Sequence, residues 1–571
     1  MNSIAYIRQH ILMLVAEKFK LSEDQLASLA LTFNANPAFG DLSLNAAFII
    51  AGNLKSSPLG IAQKIADLLT SPVVDDYENK VALHIKSVAV AKNGFVNISL
   101  TPDIWRTTAY ELSVHPSFCF KLFDDEPRYS YLIEFVSANP TGPLSLAHGR
   151  NAIIGDVLGR VLSFLGHRVH REFYINDAGQ QIVALGTTLK HKSLQLLGLP
   201  VPFAELEYDN EYMNGLAEKC VKEFGLELQS KDDEFFQLYA KNHFLSQIKK
   251  DLEEYRVNFD SWISEEDFHT SGKVNKIVQN LKDRNCTYEA DGAVWLKSSQ
   301  FGDEKDRVLV RQGGIPTYLV PDLAYHKYKL DGGYDFVIDI LGQDHHGYEG
   351  RLKAGMEALG YDPAKLKIIF YQLVLMKEEE KLVRMSKRRG NFRSLTDVIE
   401  TVGVDIARFF YLNKKADAHL AFDLELALTQ NNENPVFYIQ YAYVRTTGIL
   451  NKALAHPGLS DYAIKLLDKN LNEVDAMIVE EHFGQDEIEI LKKVCSLRYI
   501  LLTIAQTYQT HLLANYTFEL AKEFHGYYNS HKIVDELNLA ISRSRLLLLS
   551  IVRNTLSLCL DLLGITKPER M

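Results

Sequence analysis

Ser145, Ala147, His148 and Gly149 come after an apolar run, YLIEFVS, and a turn, ANPTGP, and they open a helical stretch of small residues, LSLAHGRNAIIGDVLGRVLSFLG. A strand, a tight turn and a helix in that order leave unpaired backbone N–H groups and partial positive charge at the join, where a phosphate can sit. His148 adds a side-chain donor there. Far along the chain, Arg384, Lys387, Arg388 and Arg389 crowd into EEKLVRMSKRRGN, around Met385 and Ser386. Four cations in six residues more often form a solvated face. Followed by Gly390 and Asn391, however, the loop can fold over an anion. A lysine that meets a polyphosphate as its charge develops stabilises the transition state more than the ground state. A phosphate site plus a lysine loop suggests adenylate transfer.

Three further groups have chemistry in reach. Glu134 lies inside the apolar run, where an unpaired carboxylate is costly, so it must meet a cation, either a substrate or an internal arginine. Tyr318 and Asp322, in PTYLVPDLAYH, share a face if that segment is helical. Gly342, Asp344, His345 and His346 come after the run YDFVIDIL and fall at the ligand edge of a parallel sheet. Two adjacent histidines also invite a metal reading. Neighbours on an extended chain point opposite ways and no third ligand is spaced nearby, so neither zinc nor any protein-held metal is expected.

These residues need a scaffold. At 571 residues, 47% hydrophobic and 24% charged, the chain has the balance of a soluble globular protein of three or so domains. A net charge of −11 argues against a sequence-independent DNA coat protein. The five scattered cysteines form no CxxC pair, so a reducing, cytoplasmic compartment is expected. No uninterrupted apolar run is long enough for a membrane span, and MNSIAYIRQHILMLVAEKFK has helical spacing and no signal-peptide core.

Residues 1–110 read as a small α+β domain, with paired strands meeting at an Asn93–Gly94 turn. A linker comes next. From 125 to 400, strand-like runs alternate with helices, as in a parallel α/β sheet buried on both faces. The charge-rich stretch from about 186 to 300 has helical period and reads as an insertion, not as more sheet. Beyond GVDIARFFYL the strands should stop, and 405–571 should be all-helical, with LNLAISRSRLLLLSIVRNTLSLCLDLLG packed in a bundle. On the first helix, Ile154, Val157, Leu158, Val161, Leu162 and Leu165 should face the core. Ala147, Gly149 and Gly155 should keep it slim enough for a base or a backbone to approach.

SLAH and RMSK resemble the paired HIGH and KMSK signatures of class I aminoacyl-tRNA synthetases. Through SANPTGPL, INDAGQQI, PDLAYH, GQDHHGYEGRLKAGMEALGY, MSKRRGN, GVDIARFFYL, NPVFYIQYA and LDLLGITKPERM, nearly the whole chain is similar to bacterial-type arginyl-tRNA synthetases. The resemblance implies a Rossmann-type catalytic domain, an N-terminal tRNA-contacting domain announced by FGDLSLNAAF and NGFVN, and a helical anticodon-binding domain. It implies two steps: arginine attacks the α-phosphate of ATP, and the arginyl group then passes to the 3′ end of tRNA-Arg. Mg²⁺ would accompany the ATP phosphates. No DNA or membrane partner is implied, and a monomer is expected.

By the same resemblance, Glu134, Ser137, Asn139, Tyr318 and Asp322 would bind arginine, the acids gripping its guanidinium. Ala147, His148, Gly149, Gly342, Asp344, His345, His346, Met385, Ser386 and Lys387 would line the ATP site, with Ser145, His148 and Lys387 closest to the chemistry. Ser145 replaces the family's first motif histidine, and Ala147 its glycine; Ser145 can cap the helix but carries no charge. Arg445, Tyr441, Arg543, Arg545 and Arg553 are candidates for tRNA contacts, each also readable as an ordinary surface residue. Two alternatives stand beside this reading: a synthetase for another amino acid, and a tRNA-binding regulator with a decayed site.

Overall fold

The computed structural model describes residues 3–34, 36–70, 84–201, 206–378, 381–383, 394–472 and 483–571. The loop predicted from Arg384 to Asn391, with Met385, Ser386 and Lys387, lies outside the described residues.

The N-terminal domain is a four-stranded antiparallel sheet, β1 (Leu31–Phe33), β2 (Leu42–Leu44), β3 (Ile85–Val90) and β4 (Val96–Leu100), in the order β1-β2-β4-β3. The expected hairpin is present: Gly94 turns at φ +95°, and its N–H donates to Ala91 O at 2.8 Å. Helices Ala46–Leu54 and Pro58–Thr70 cover one face with Ala47, Ile50, Ile61 and Ile65.

The central domain holds β5 (Ser130–Glu134), β6 (Arg168–Ile175), β7 (Ser261–Ser264), β11 (Phe336–Gly342) and β12 (Leu366–Tyr371), all parallel, in the order β12-β11-β5-β6-β7. The chain winds outward in both directions from the β5/β11 boundary, so the crevice beyond those two carboxyl ends is a topological switch point. Side chains alternate across β5: Ile133 packs toward the helix Leu146–Leu165, Leu132 toward the helix Leu319–Asp331. The six predicted core residues of the first helix are all buried. That helix is enclosed nearly all round, because the helices Gln485–Thr507 and Leu539–Leu563 cover the side facing away from the sheet.

Two expectations are corrected. The stretch 186–300 is not purely a helical insertion, since β7 within it extends the main sheet beside β6. A four-residue edge strand bounded by serines shows no period that could reveal it. Ahead of β7, helices Gln180–Leu196, Glu211–Phe224 and Asp233–Glu254 enclose a core of their own. After it, β8 (Thr287–Ala290), β9 (Ala293–Leu296) and β10 (Arg307–Val310) form a small antiparallel sheet. Nor do strands stop at Gly403. β13 (Val374–Glu378) pairs antiparallel with β14 (Lys381–Val383) and parallel with β15 (Leu420–Asp423).

The C-terminal region is a helical bundle of Pro435–Leu454, Gln485–Thr507, His511–Ser530 and Leu539–Leu563, among shorter helices. The last helix, with mean hydropathy 1.8, is by length and composition apolar enough to cross a membrane, and 72% of that stretch is buried inside the protein.

Candidate active site

Where β5 ends, the backbone turns sharply. Val136 and Ser137 have φ of 67° and 41°, a left-handed conformation that is costly for a β-branched valine. The Ser137 hydroxyl donates to Glu134 Oε1 at 2.8 Å and accepts the Tyr174 N–H at 3.2 Å. Asn139 donates to Gln181 Oε1 at 2.7 Å.

Glu134 is buried, and its cation is an internal lysine, not the internal arginine considered from sequence. The fully buried Lys329 ammonium bonds Glu134 Oε2, and it reaches Asp339 Oδ1 at 2.6 Å. Asp339 also meets His326 Nε2 at 2.7 Å. Burial works to raise the Asp339 carboxyl, but the charges of Lys329 and His326 outweigh it and hold Asp339 well below the usual carboxylate range.

The neighbouring acids behave in the opposite way. Burial raises Asp322 against a hydrogen bond from the Tyr348 hydroxyl, raises Glu172 against Lys329 and Tyr325, and raises Glu265 against His269. Burial also pushes the Tyr174 hydroxyl up, with further pushes from Glu265, Asp322, Glu134 and Asp177, so these carboxylates converge on one ring. Carboxyls held up for want of a countercharge gain by receiving a cation.

Tyr318 departs from expectation. It is the N-cap of the helix Leu319–Asp331, where its carbonyl accepts the Asp322 N–H at 3.4 Å, but it is 85% exposed. The tyrosine whose hydroxyl bonds the Asp322 carboxylate is Tyr348, from the turn after β11.

At the other end of the crevice, Ser145 caps the helix Leu146–Leu165. The His148 N–H donates to Ser145 Oγ at 3.4 Å, and the Ser145 N–H donates to His148 Nδ1 at 3.1 Å. An accepting Nδ1 places the ring proton on Nε2, making that nitrogen a donor. The capping loop is tied to the chain beyond the lysine loop: Ser145 bridges Ser394, and the Leu395 N–H donates to Leu144 O at 2.8 Å. Ser394 and Leu395, seven and eight residues beyond Lys387, therefore lie at this helix N-terminus.

Gly149 and Gly155 do keep the helix slim, but for the protein's own side chains and not for a ligand. A Cβ on Gly149 would meet Leu395 Cδ1 at 2.7 Å, and one on Gly155 would collide with the Phe135 ring. Ala147 is half-buried and packs against the core.

Gly342 closes β11, and Asp344, His345 and His346 lie in the turn Gln343–Tyr348, at the predicted sheet edge, with both histidines exposed. Gly342 lacks the Cβ that would meet Asp344 Oδ1 at 2.5 Å, and the His346 ring lies 5.0 Å from Phe370. Among the described residues, no group of three His, Cys, Asp or Glu is arranged to hold a metal.

On the bundle, Arg445 bonds the Tyr441 hydroxyl at 2.8 Å and His525 Nδ1 at 2.9 Å, with its guanidinium 4.4 Å from the Tyr441 and Tyr528 rings. Arg543, Arg545 and Arg553 are half-buried and engage their own domain, at Gly458 O, Lys532 O and Thr447 Oγ1. Sequence reasoning misses Lys329, Asp339, His326, Tyr348, Gln181 and Asn151. Asp339 alone carries a local signal, the same one that exposes Glu134: an acid inside an apolar strand.

The family model for the class I tRNA synthetase (R) catalytic domain matches residues 125–424, that for the arginyl-tRNA synthetase N-terminal domain matches 5–100, and that for the DALR anticodon-binding domain matches 439–571. An arginine–tRNA ligase of Shouchella clausii is 37% identical over 554 residues, covering 96% of each chain. One from Bacillus cereus is 35% identical over 583 aligned residues, covering 100% of both. Arginyl-tRNA synthetase of Thermus thermophilus shares the fold, with a TM-score of 0.72 at 19% identity over 99% of this chain and 100% of that one. The chain belongs to the arginyl-tRNA synthetases, the class I enzymes that activate arginine with ATP and charge it onto tRNA.

Proposed function

We propose that the acidic crevice between β5 and β11 holds the substrate guanidinium while the N-terminus of the helix Leu146–Leu165 holds the phosphates of ATP. Glu134 and Asp322 supply the charge, Ser137 orients Glu134, and Asn139 meets the α-amino end, with Tyr318 beside the mouth. A guanidinium presents a planar fork of donors that paired carboxylates match better than a point-like ammonium does. This favours arginine over lysine.

The arginine carboxylate then attacks the α-phosphorus, the bond to the β-phosphate breaks, and pyrophosphate leaves. His148 Nε2–H and the backbone N–H groups beside Ser145 and Ala147 contact the phosphates. Lys387, flanked by Met385 and Ser386, neutralises charge on the departing group. Gly342, Asp344, His345 and His346 border the adenosine. In the second step a 3′-terminal hydroxyl of tRNA attacks the activated carbonyl, and AMP leaves. Mg²⁺, a hard cation, would be held by phosphate oxygens and water.

Arg445 and Tyr441, with Arg543, Arg545 and Arg553, belong to the tRNA-facing side of the bundle. The enzyme acts as a monomer in the cytoplasm. One observation carries the active-site reading: buried carboxylates stand at the β5/β11 switch point, and the helix that follows β5 has a capped N-terminus bridged to Ser394, beyond Lys387 in the chain. The test is ATP–pyrophosphate exchange with arginine and tRNA present. Asp322→Asn should raise the KM for arginine by about thirtyfold, from loss of a charge-assisted bond. An unchanged KM removes Asp322 from the pocket.

A further inference from the structure

Asn151 joins the two strand ends at the switch point from within the protein. It is 2% exposed, on the helix that begins after Ser145. Its Oδ1 accepts the Val136 N–H at 2.9 Å, and its Nδ2 donates to Ile340 O at 2.9 Å. The Tyr371 hydroxyl of β12 reaches the same side chain. Val136 is one of the two left-handed residues of the turn after β5, and its N–H has this amide as its partner. A buried backbone N–H that loses its acceptor is penalised, so Asn151 offsets part of the strain that the left-handed turn imposes on a valine.

The turn in turn sets the position of a pocket residue. Ser137, next to Val136, places its hydroxyl on Glu134 Oε1 at 2.8 Å while accepting the Tyr174 N–H at 3.2 Å. A contact chain therefore runs from Asn151 through Val136 and Ser137 to Glu134, and its other branch ends on the strand that carries Gly342.

We propose that Asn151 is a positioning residue: it fixes the left-handed turn at Val136–Ser137 that aims Ser137 and Glu134 at the substrate, and it keeps the amino-acid edge in register with the nucleotide edge. The inference rests on the arginine pocket proposed for this crevice. A purely structural asparagine would alter stability or both Michaelis constants together, and freeing the backbone at residue 136 would not help it.

The test measures the KM for arginine and for ATP in tRNA-dependent exchange with the full-length enzyme. Asn151→Ala should raise the KM for arginine about tenfold, the size of one buried hydrogen bond, and leave that for ATP within about twofold. Adding Val136→Gly should return the arginine KM toward the parent value, because glycine takes positive φ without an acceptor to hold it there. An unchanged arginine KM in Asn151→Ala, or no recovery in the double variant, overturns the proposal. If the alanine variant does not fold, Asn151→Asp, which keeps an acceptor for Val136, should stay within about threefold for arginine, and a rise of about tenfold overturns it. Glu134→Gln separates the two claims. If it leaves the arginine KM unchanged, the pocket reading fails; if it raises it while Asn151→Ala does not, only the positioning role fails.

Discussion

Lys329 is ion-paired to Glu134 with its ammonium wholly removed from water, in the crevice proposed to receive a second cation, the substrate. Glu134 and Asp339 are register partners on adjacent parallel strands, two like charges side by side in the sheet. Lys329 bonds both and offsets their repulsion, and in the proposed pocket the incoming guanidinium is left to balance Asp322 and its neighbours. Lys329→Met should lower the unfolding free energy by about 3–5 kcal/mol, because removing one member of a buried ionic group strands the others. Lys329→Arg keeps the charge and suffers only crowding, about 1–3 kcal/mol. Urea unfolding of the variants checks this, and a methionine variant as stable as the parent contradicts it.

A second buried acid predicts a pH dependence. Burial pushes Asp251 up to about 6 from its ordinary 3.8. A carboxyl that binds its proton more tightly when folded adds stability below its unfolded value and loses that stability as pH rises through the folded value. Asp251→Asn should therefore raise the unfolding free energy at about pH 8 by roughly 2–3 kcal/mol and change it little at about pH 4. Equal effects at the two pH values would show that burial of charge is not what the aspartate suffers.

Much of this site can be read from the chain because its signals are local. An acid inside an apolar strand, a serine one turn ahead of a helical histidine and a turn residue after a strand each announce themselves within a few positions. What stays hidden is long-range. Lys329 looks like an ordinary helical lysine until the helix is laid on the sheet, where it meets Glu134 across 195 residues of chain. β7 and β15 are hidden because four-residue strands carry too little pattern to outweigh their flanks. Gly149 falls on the expected helix but serves a different neighbour: the space it leaves belongs to Leu395 and Tyr411, which only the tertiary structure brings there.

That reassignment is testable. Gly149→Ala places a methyl 2.7 Å from Leu395 Cδ1 and 3.1 Å from the Tyr411 hydroxyl, and Tyr411 is fully buried and has nowhere to go. Leu395 must give, and with it Ser394, the anchor of the loop that carries Lys387. A stability loss of about 1–3 kcal/mol is expected from overpacking. The exchange kcat should fall about tenfold with the arginine KM unchanged, since in the proposed mechanism Lys387 acts on the transition state and not on the amino-acid pocket. A rise in arginine KM alone would place Gly149 in the pocket after all.

Ser145 occupies the first position of the motif read as HIGH-like from the sequence, and its hydrogen bonds separate what a serine there costs from what it does not. The bond that sets the His148 tautomer comes from the backbone N–H of residue 145, so any side chain there preserves it. The serine hydroxyl itself satisfies only the His148 N–H, one of the helix's terminal donors. Ser145→Ala should thus cost about 1 kcal/mol of stability, the usual worth of an N-cap, with the KM for ATP moved less than about threefold. His148→Asn, by contrast, removes the ring whose Nε2–H is proposed to contact the phosphates and should lower the exchange kcat by about a hundredfold. Thermal unfolding and ATP titration of the two variants decide the matter. If Ser145→Ala abolishes activity while His148→Asn does not, the serine is the group that handles phosphate and the histidine merely completes its cap.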